Sequence, residues 1–124
     1  MAAPIYNTTV ERGSTFQLTV TYKDASGTVV NLTGWTFRMQ VRESQSAAST
    51  VLTSEGGSPT IAIDETNKAT GVLIFSVTPT NTTAISPSTL TTAYYDIEIQ
   101  KTSTGEVRRI LQGKLNISPE ITHA

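Results

Sequence analysis

The chain has 124 residues, enough for one hydrophobic core and a tight fit for two full domains. With 9 Lys and Arg against 10 Asp and Glu the formal charge is -1, so no long-range field gathers nucleic acid or an anionic membrane. Cysteine is absent, which removes disulfides, thiolate catalysis and sulfur-ligated zinc together.

Residues 1–7 read as a flexible N-terminal arm, since Pro4 and the small residues around it offer little to bury. Ile5 and Tyr6 are the exceptions, and they are candidates for docking the arm onto its own domain or onto a partner. No basic stretch followed by an apolar run marks a secretory leader. No segment approaches the roughly 20 apolar residues that a membrane-crossing helix needs.

A β domain is expected over residues 8–119, followed by a short tail at 120–124. Thr8–Glu11 reads as a first strand closed by Gly13. The next alternation is clearer, with Phe16, Leu18, Val20 and Tyr22 on one face and Gln17, Thr19 and Thr21 on the other. Lys23-Asp24-Ala25-Ser26-Gly27 has the chemistry of a hairpin turn, and residues 28–30 are expected to restart the strand. Trp35, Phe37, Met39 and Val41 then alternate with Thr36, Arg38, Gln40 and Arg42, which predicts a strand whose tryptophan lies at the centre of the core.

Val51 with Leu52, and Ile61 with Ile63, mark two short strands around Gly56-Gly57. The Asp64–Gly71 segment reads as a strand connection, because Lys68 interrupts any calcium-loop series of oxygen ligands. Val72–Val77 puts Leu73, Phe75 and Val77 on one side and Val72 and Ile74 on the other, so both sides are expected to be covered at one end. Between Pro79 and Pro87 there is room for a helical turn.

Residues 94–117 carry the strongest pattern in the chain. Tyr95, Ile97 and Ile99 alternate with Asp96, Glu98 and Gln100; after a polar break at Gly105, Val107, Arg109, Leu111, Gly113, Leu115 and Ile117 share one parity. That is a β-hairpin with one buried face, closed by Ser118-Pro119. About seven to eight strands with turns every 8–12 residues and no long helix define an all-β fold, a single antiparallel β-sandwich or small barrel.

Catalytic chemistry finds little support. His123, the one histidine, lies in the tail, where a general base lacks a held geometry. Asp96 and Glu98 sit at i and i+2 beside Tyr94 on an outward face, which suits a solvated or interfacial strand better than paired acid catalysis. Arg108 and Arg109 point to opposite faces, so they do not build one basic patch. Arg109, in phase with Val107 and Leu111, is expected to carry its charge out past the strand end or to pair with an acid, on this chain or on a neighbour. No catalytic residue, metal ligand or cofactor motif is assigned. The candidate protein-interaction residues are Ile5, Tyr6, Tyr94, Asp96, Glu98 and Arg109.

Taken in order, Phe16-Gln17-Leu18-Thr19-Val20-Thr21-Tyr22-Lys23-Asp24-Ala25-Ser26-Gly27 and Asn31-Leu32-Thr33-Gly34-Trp35-Thr36-Phe37-Arg38-Met39-Gln40-Val41-Arg42 resemble small tailed-bacteriophage virion proteins. Gly71-Val72-Leu73-Ile74-Phe75, Tyr95-Asp96-Ile97-Glu98-Ile99 and the run Leu111-Gln112-Gly113-Lys114-Leu115-Asn116-Ile117-Ser118-Pro119 continue the likeness, which is to the N-terminal domain of the phage baseplate upper protein. The resemblance implies an immunoglobulin-like β-sandwich used as a virion building block at a baseplate, neck or capsid surface. It implies other virion structural proteins as partners, a homo-oligomer such as a trimer, and assembly in the cytoplasm of a bacterial host. The baseplate protein continues into a receptor-proximal region after this domain. Here the sequence runs only to Ala124, so a free-standing cement, decoration or connector protein is the expectation. A host-facing module that binds carbohydrate is the alternative; it would carry exposed aromatics on loops, whereas Trp35 and Tyr94 fall in strands.

Overall fold

The computed structural model describes residues 3–119, and among these the chain forms eight strands in two sheets. In chain order they are β1 (Thr8–Glu11), β2 (Phe16–Thr21), β3 (Trp35–Arg42), β4 (Thr50–Thr53), β5 (Ala62–Asp64), β6 (Val72–Val77), β7 (Thr92–Lys101) and β8 (Val107–Ser118). One sheet has the order β1-β8-β7-β3-β4 and the other β2-β6-β5. Residues from both sheets make one core, in which Leu73, Phe75, Met39, Val41, Ile97, Ile99 and Leu115 are essentially sealed from solvent.

The fold is all-β but not wholly antiparallel. β1 runs parallel to β8, with Thr8 opposite Leu115 and Glu11 opposite Ser118. A tight turn forces its two strands to be antiparallel, but β1 and β8 are separated by nearly the whole chain, so no turn fixes their sense. The remaining pairings are antiparallel.

Two expected features differ in detail. Residues 28–30 do not return as a strand: a single bridge joins Lys23 to Val29, and the chain then turns away as Leu32 enters the core. The turn itself is held by the Asp24 carboxylate, which accepts from the Ser26 and Thr28 amides and the Ser26 hydroxyl. Those bonds, the Ser26 hydroxyl first, hold the Asp24 carboxyl below its ordinary range. Trp35 is not central either. It opens β3 opposite Lys101 and is half-buried, with the Lys101 ammonium 5.9 Å and the Arg108 guanidinium 5.3 Å from its ring centre. Its indole closes one end of the core beneath two cations.

A short helix, α1 (Pro79–Thr83), fills the expected turn between prolines and is capped by the Thr78 hydroxyl, which accepts from the Asn81 amide. Thr82 is fully buried, yet its hydroxyl accepts from the Gly13 amide and donates to the Ser14 carbonyl. Arg12 donates to the carbonyls of Ile85, Pro87 and Leu90. One arginine and one threonine thereby tie the β1–β2 turn to the segment that leads into β7.

The sharpest departure from simple alternation lies in β8. Ile97 pairs with Leu111, but Glu98 pairs with Arg109, so Ile110 is an extra residue on the β8 side. A bulge of one residue reverses the sidedness of everything beyond it. Ile110 is buried, while Arg109 and Val107, expected on the inner face, emerge on the outer one; Arg108 takes the inner parity at the strand end beside Trp35. Leu111, Gly113, Leu115 and Ile117 keep the expected side.

Candidate interaction surface

Because β7 alternates, its outward side chains Tyr94, Asp96 and Glu98 stand in a line, and the bulge in β8 delivers Arg109 to the same face. Glu98 is gripped by Arg38 of β3, the guanidinium 2.7 Å from its carboxylate. Arg109 reaches diagonally to Asp96 at 3.3 Å and donates weakly to the Gln112 side chain. Burial pushes the Asp96 carboxyl above its ordinary value and nearby Glu98 adds to the rise, against the pull of Arg109, Arg38 and Arg42. These are partly exposed pairs on an outer sheet face, suited to recognition more than to holding the fold together.

The same face is indented by a cleft of about 550 Å³ whose walls include Ile5, Arg42, Tyr94, Asp96, Arg109 and Lys114. Four of the six residues singled out from sequence, Ile5, Tyr94, Asp96 and Arg109, therefore meet in one depression. Glu98 lies one row away, held by Arg38. Tyr6 lines a different groove. Arg42, Lys114 and the glutamines between them were missed. Their outward parity was readable, but only cross-strand register brings them together.

Residues 3–7, expected as an arm, lie along β8. The Tyr6 amide donates to the Gln112 carbonyl and the Gln112 amide to the Pro4 carbonyl, so Ile5 bridges Gln112 in the same parallel sense as β1. Gln112 also donates from its side chain to the Ala3 carbonyl, and the Lys114 amide donates to the Asn7 side chain. The Tyr6 carbonyl turns inward over Gly113, where a Cβ would come within 2.1 Å of it, and accepts from the hydroxyl of Tyr95. Glycine is thus required by close approach. Burial, and to a lesser degree the charge of Tyr6, pushes the Tyr95 phenol up to about 12.

The backbone of this segment is fixed while its side chains are not covered. Ile5 is 73% and Tyr6 50% exposed. Tyr6 overlooks a second groove of about 580 Å³ between the segment and β2, walled by Ile5, Leu18, Val20 and Leu111. Among the described residues, β2 has no strand neighbour on this side, and neither does β8 before Gln112. Among the described residues, no three His, Cys, Asp or Glu side chains gather as a metal site.

The chain matches no protein-family model, and no curated protein sequence matches it significantly.

Proposed function

We propose that the protein is a non-enzymatic structural component of a tailed-bacteriophage virion, a capsid cement or decoration, neck or baseplate connector protein that acts through protein–protein contacts. Its two sheets and shared core are read as an immunoglobulin-like sandwich. Its partners are other virion structural proteins and further copies of itself, as a trimer or similar ring, assembled in the cytoplasm of a bacterial host. The observation that carries the reading is the segment of residues 3–7, whose backbone is bonded to β8 while Ile5 and Tyr6 stay exposed. Fixed, uncovered apolar side chains beside open strand edges are what a subunit offers to a neighbour. The sequence resemblance to phage baseplate proteins directs the choice of assembly.

Light scattering on the purified chain, with and without residues 1–7, tests the self-assembly. A ring that falls to monomer on truncation supports it, and a monomer in both cases removes the homo-oligomer. Antibody detection of the chain in tailed particles recovered from the bacterial source tests the location. Recovery only outside particles overturns the virion reading.

A further inference from the structure

On the outward face of the large sheet, the register of β3, β7 and β8 aligns three rows of three side chains. Arg38, Glu98 and Arg109 form the first; Gln40, Asp96 and Gln112 the second; Arg42, Tyr94 and Lys114 the third. In the first row a carboxylate lies between two cations. The third row repeats the flanking cations but puts an aromatic ring where the carboxylate would be. The grid holds four cations and two carboxylates, on a chain whose formal charge is -1. Both carboxylates are already engaged, Glu98 by Arg38 and Asp96 by Arg109. The unneutralised charge therefore belongs to the third row.

Arg42 is positioned for a ligand and makes no ion pair with any described residue. It donates to the Ala47 carbonyl at 2.9 Å and to the Gln40 side-chain oxygen at 3.0 Å, and both acceptors are uncharged. Lys114 makes no ion pair with any described residue. Strand spacing sets their backbones about 10 Å apart, a span that two long side chains can close on one carboxylate lying over the Tyr94 ring. Ile5 stands at the wall of the same cleft.

We propose that the Arg42–Tyr94–Lys114 row is a receptor for a carboxylate, and that its occupant is an acidic residue with an apolar residue two positions away, on the same face of an extended segment of a partner protein. The partner's acid completes the charge pattern of the first row, and the apolar residue two positions away covers Ile5. An acidic sugar would satisfy the cations but leave Ile5 wet. The proposal rests on the reading of this protein as a contact-making subunit and specifies what one contact recognises.

The probe is the capped pentapeptide Val-Ser-Glu-Ser-Val, which puts its acid and both valines on one face when extended, titrated into 15N-labelled protein beside its Val-Ser-Gln-Ser-Val counterpart and a galacturonate oligomer. The amides of Arg42, Tyr94 and Lys114 are expected to shift with the Glu peptide, which binds about fivefold or more tighter than the Gln peptide. Lys114→Gln and Arg42→Gln each weaken that binding, added salt weakens it further, and Lys68→Gln, in the connection between β5 and β6, leaves it unchanged. Lys114→Glu, at an exposed position that leaves folding intact, abolishes it. Equal response to the two peptides, no shift in this row up to about 10 mM peptide, or preference for the galacturonate overturns the proposal. If peptide binding fails while the chain still assembles and is found in particles, only this inference falls; peptide binding by a chain absent from particles removes the virion reading instead.

Discussion

β7 offers one strand to two environments. Its inner side chains, Ala93, Tyr95, Ile97 and Ile99, are sealed in the core, whereas Tyr94, Asp96 and Glu98 stand among cations on the outer face of the same sheet. The inner set has a single solution, because each side chain fills volume that nothing else fills. The outer set carries little folding energy, so its identity is open to selection by what it meets. The difference teaches where to look for recognition: on the face whose residues the fold does not need.

That division can be broken most severely from inside. Ile97→Ala removes three methyl-sized groups from a fully buried site and is expected to destabilise the domain by about 2–5 kcal/mol, read from chemical denaturation midpoints. Gly113→Ala comes next, at about 1–3 kcal/mol, because the new Cβ collides with the Tyr6 carbonyl and forces residues 3–7 off β8. Faster hydrogen exchange at the Tyr6 and Gln112 amides, with β7 still protected, is the expected signature; unchanged exchange would mean that the segment is not held at Gly113.

Tyr95→Phe sharpens the comparison, since it keeps the inner packing and removes only the bond to the Tyr6 carbonyl. A loss of about 1–2 kcal/mol is expected at neutral pH. The phenol's folded value of about 12 lies above the unfolded value near 10, so its contribution is fully present below about pH 10 and is lost as pH rises toward 12. Thermal melts between about pH 10 and 12 should therefore fall more steeply in the native protein than in the Phe variant. On the outer face, Glu98→Gln breaks the Arg38 pair and should cost no more than about 1 kcal/mol. A loss as large as that of the core variant would refute the division between the two faces.

The inner face of β7 was legible because Tyr95, Ile97 and Ile99 follow the two-residue period without interruption. β8 was legible only beyond its bulge. Sequence parity placed Arg109 inside, and nothing local marks Ile110 as the inserted residue, since Ile110 and Leu111 are both apolar and either could face the core. Trp35 was misplaced for a related reason: alternation assigns a face but not a position along the strand, so a ring at the end of the core looks like one at its centre. The sense of β1 was unreadable, because a pairing between the first and last strands leaves no turn residues to betray it. The grid of cations suffered most, as Arg38 and Arg42 precede Arg109 and Lys114 by 71 and 72 residues and meet them only through register.

The parallel pairing at the sheet edge also governs how the molecule bears load. Residues 3–7 and β1 advance along β8 in the same sense, from the bridge of Ile5 with Gln112 to the pair of Glu11 with Ser118. A tension applied at residues 3 and 119 therefore slides the two strands past each other, so their bonds share the strain instead of opening one after another. A subunit strung between neighbours by its two ends would resist rupture in shear, with the Gly113 crossing and the Tyr95 hydroxyl acting as the latch.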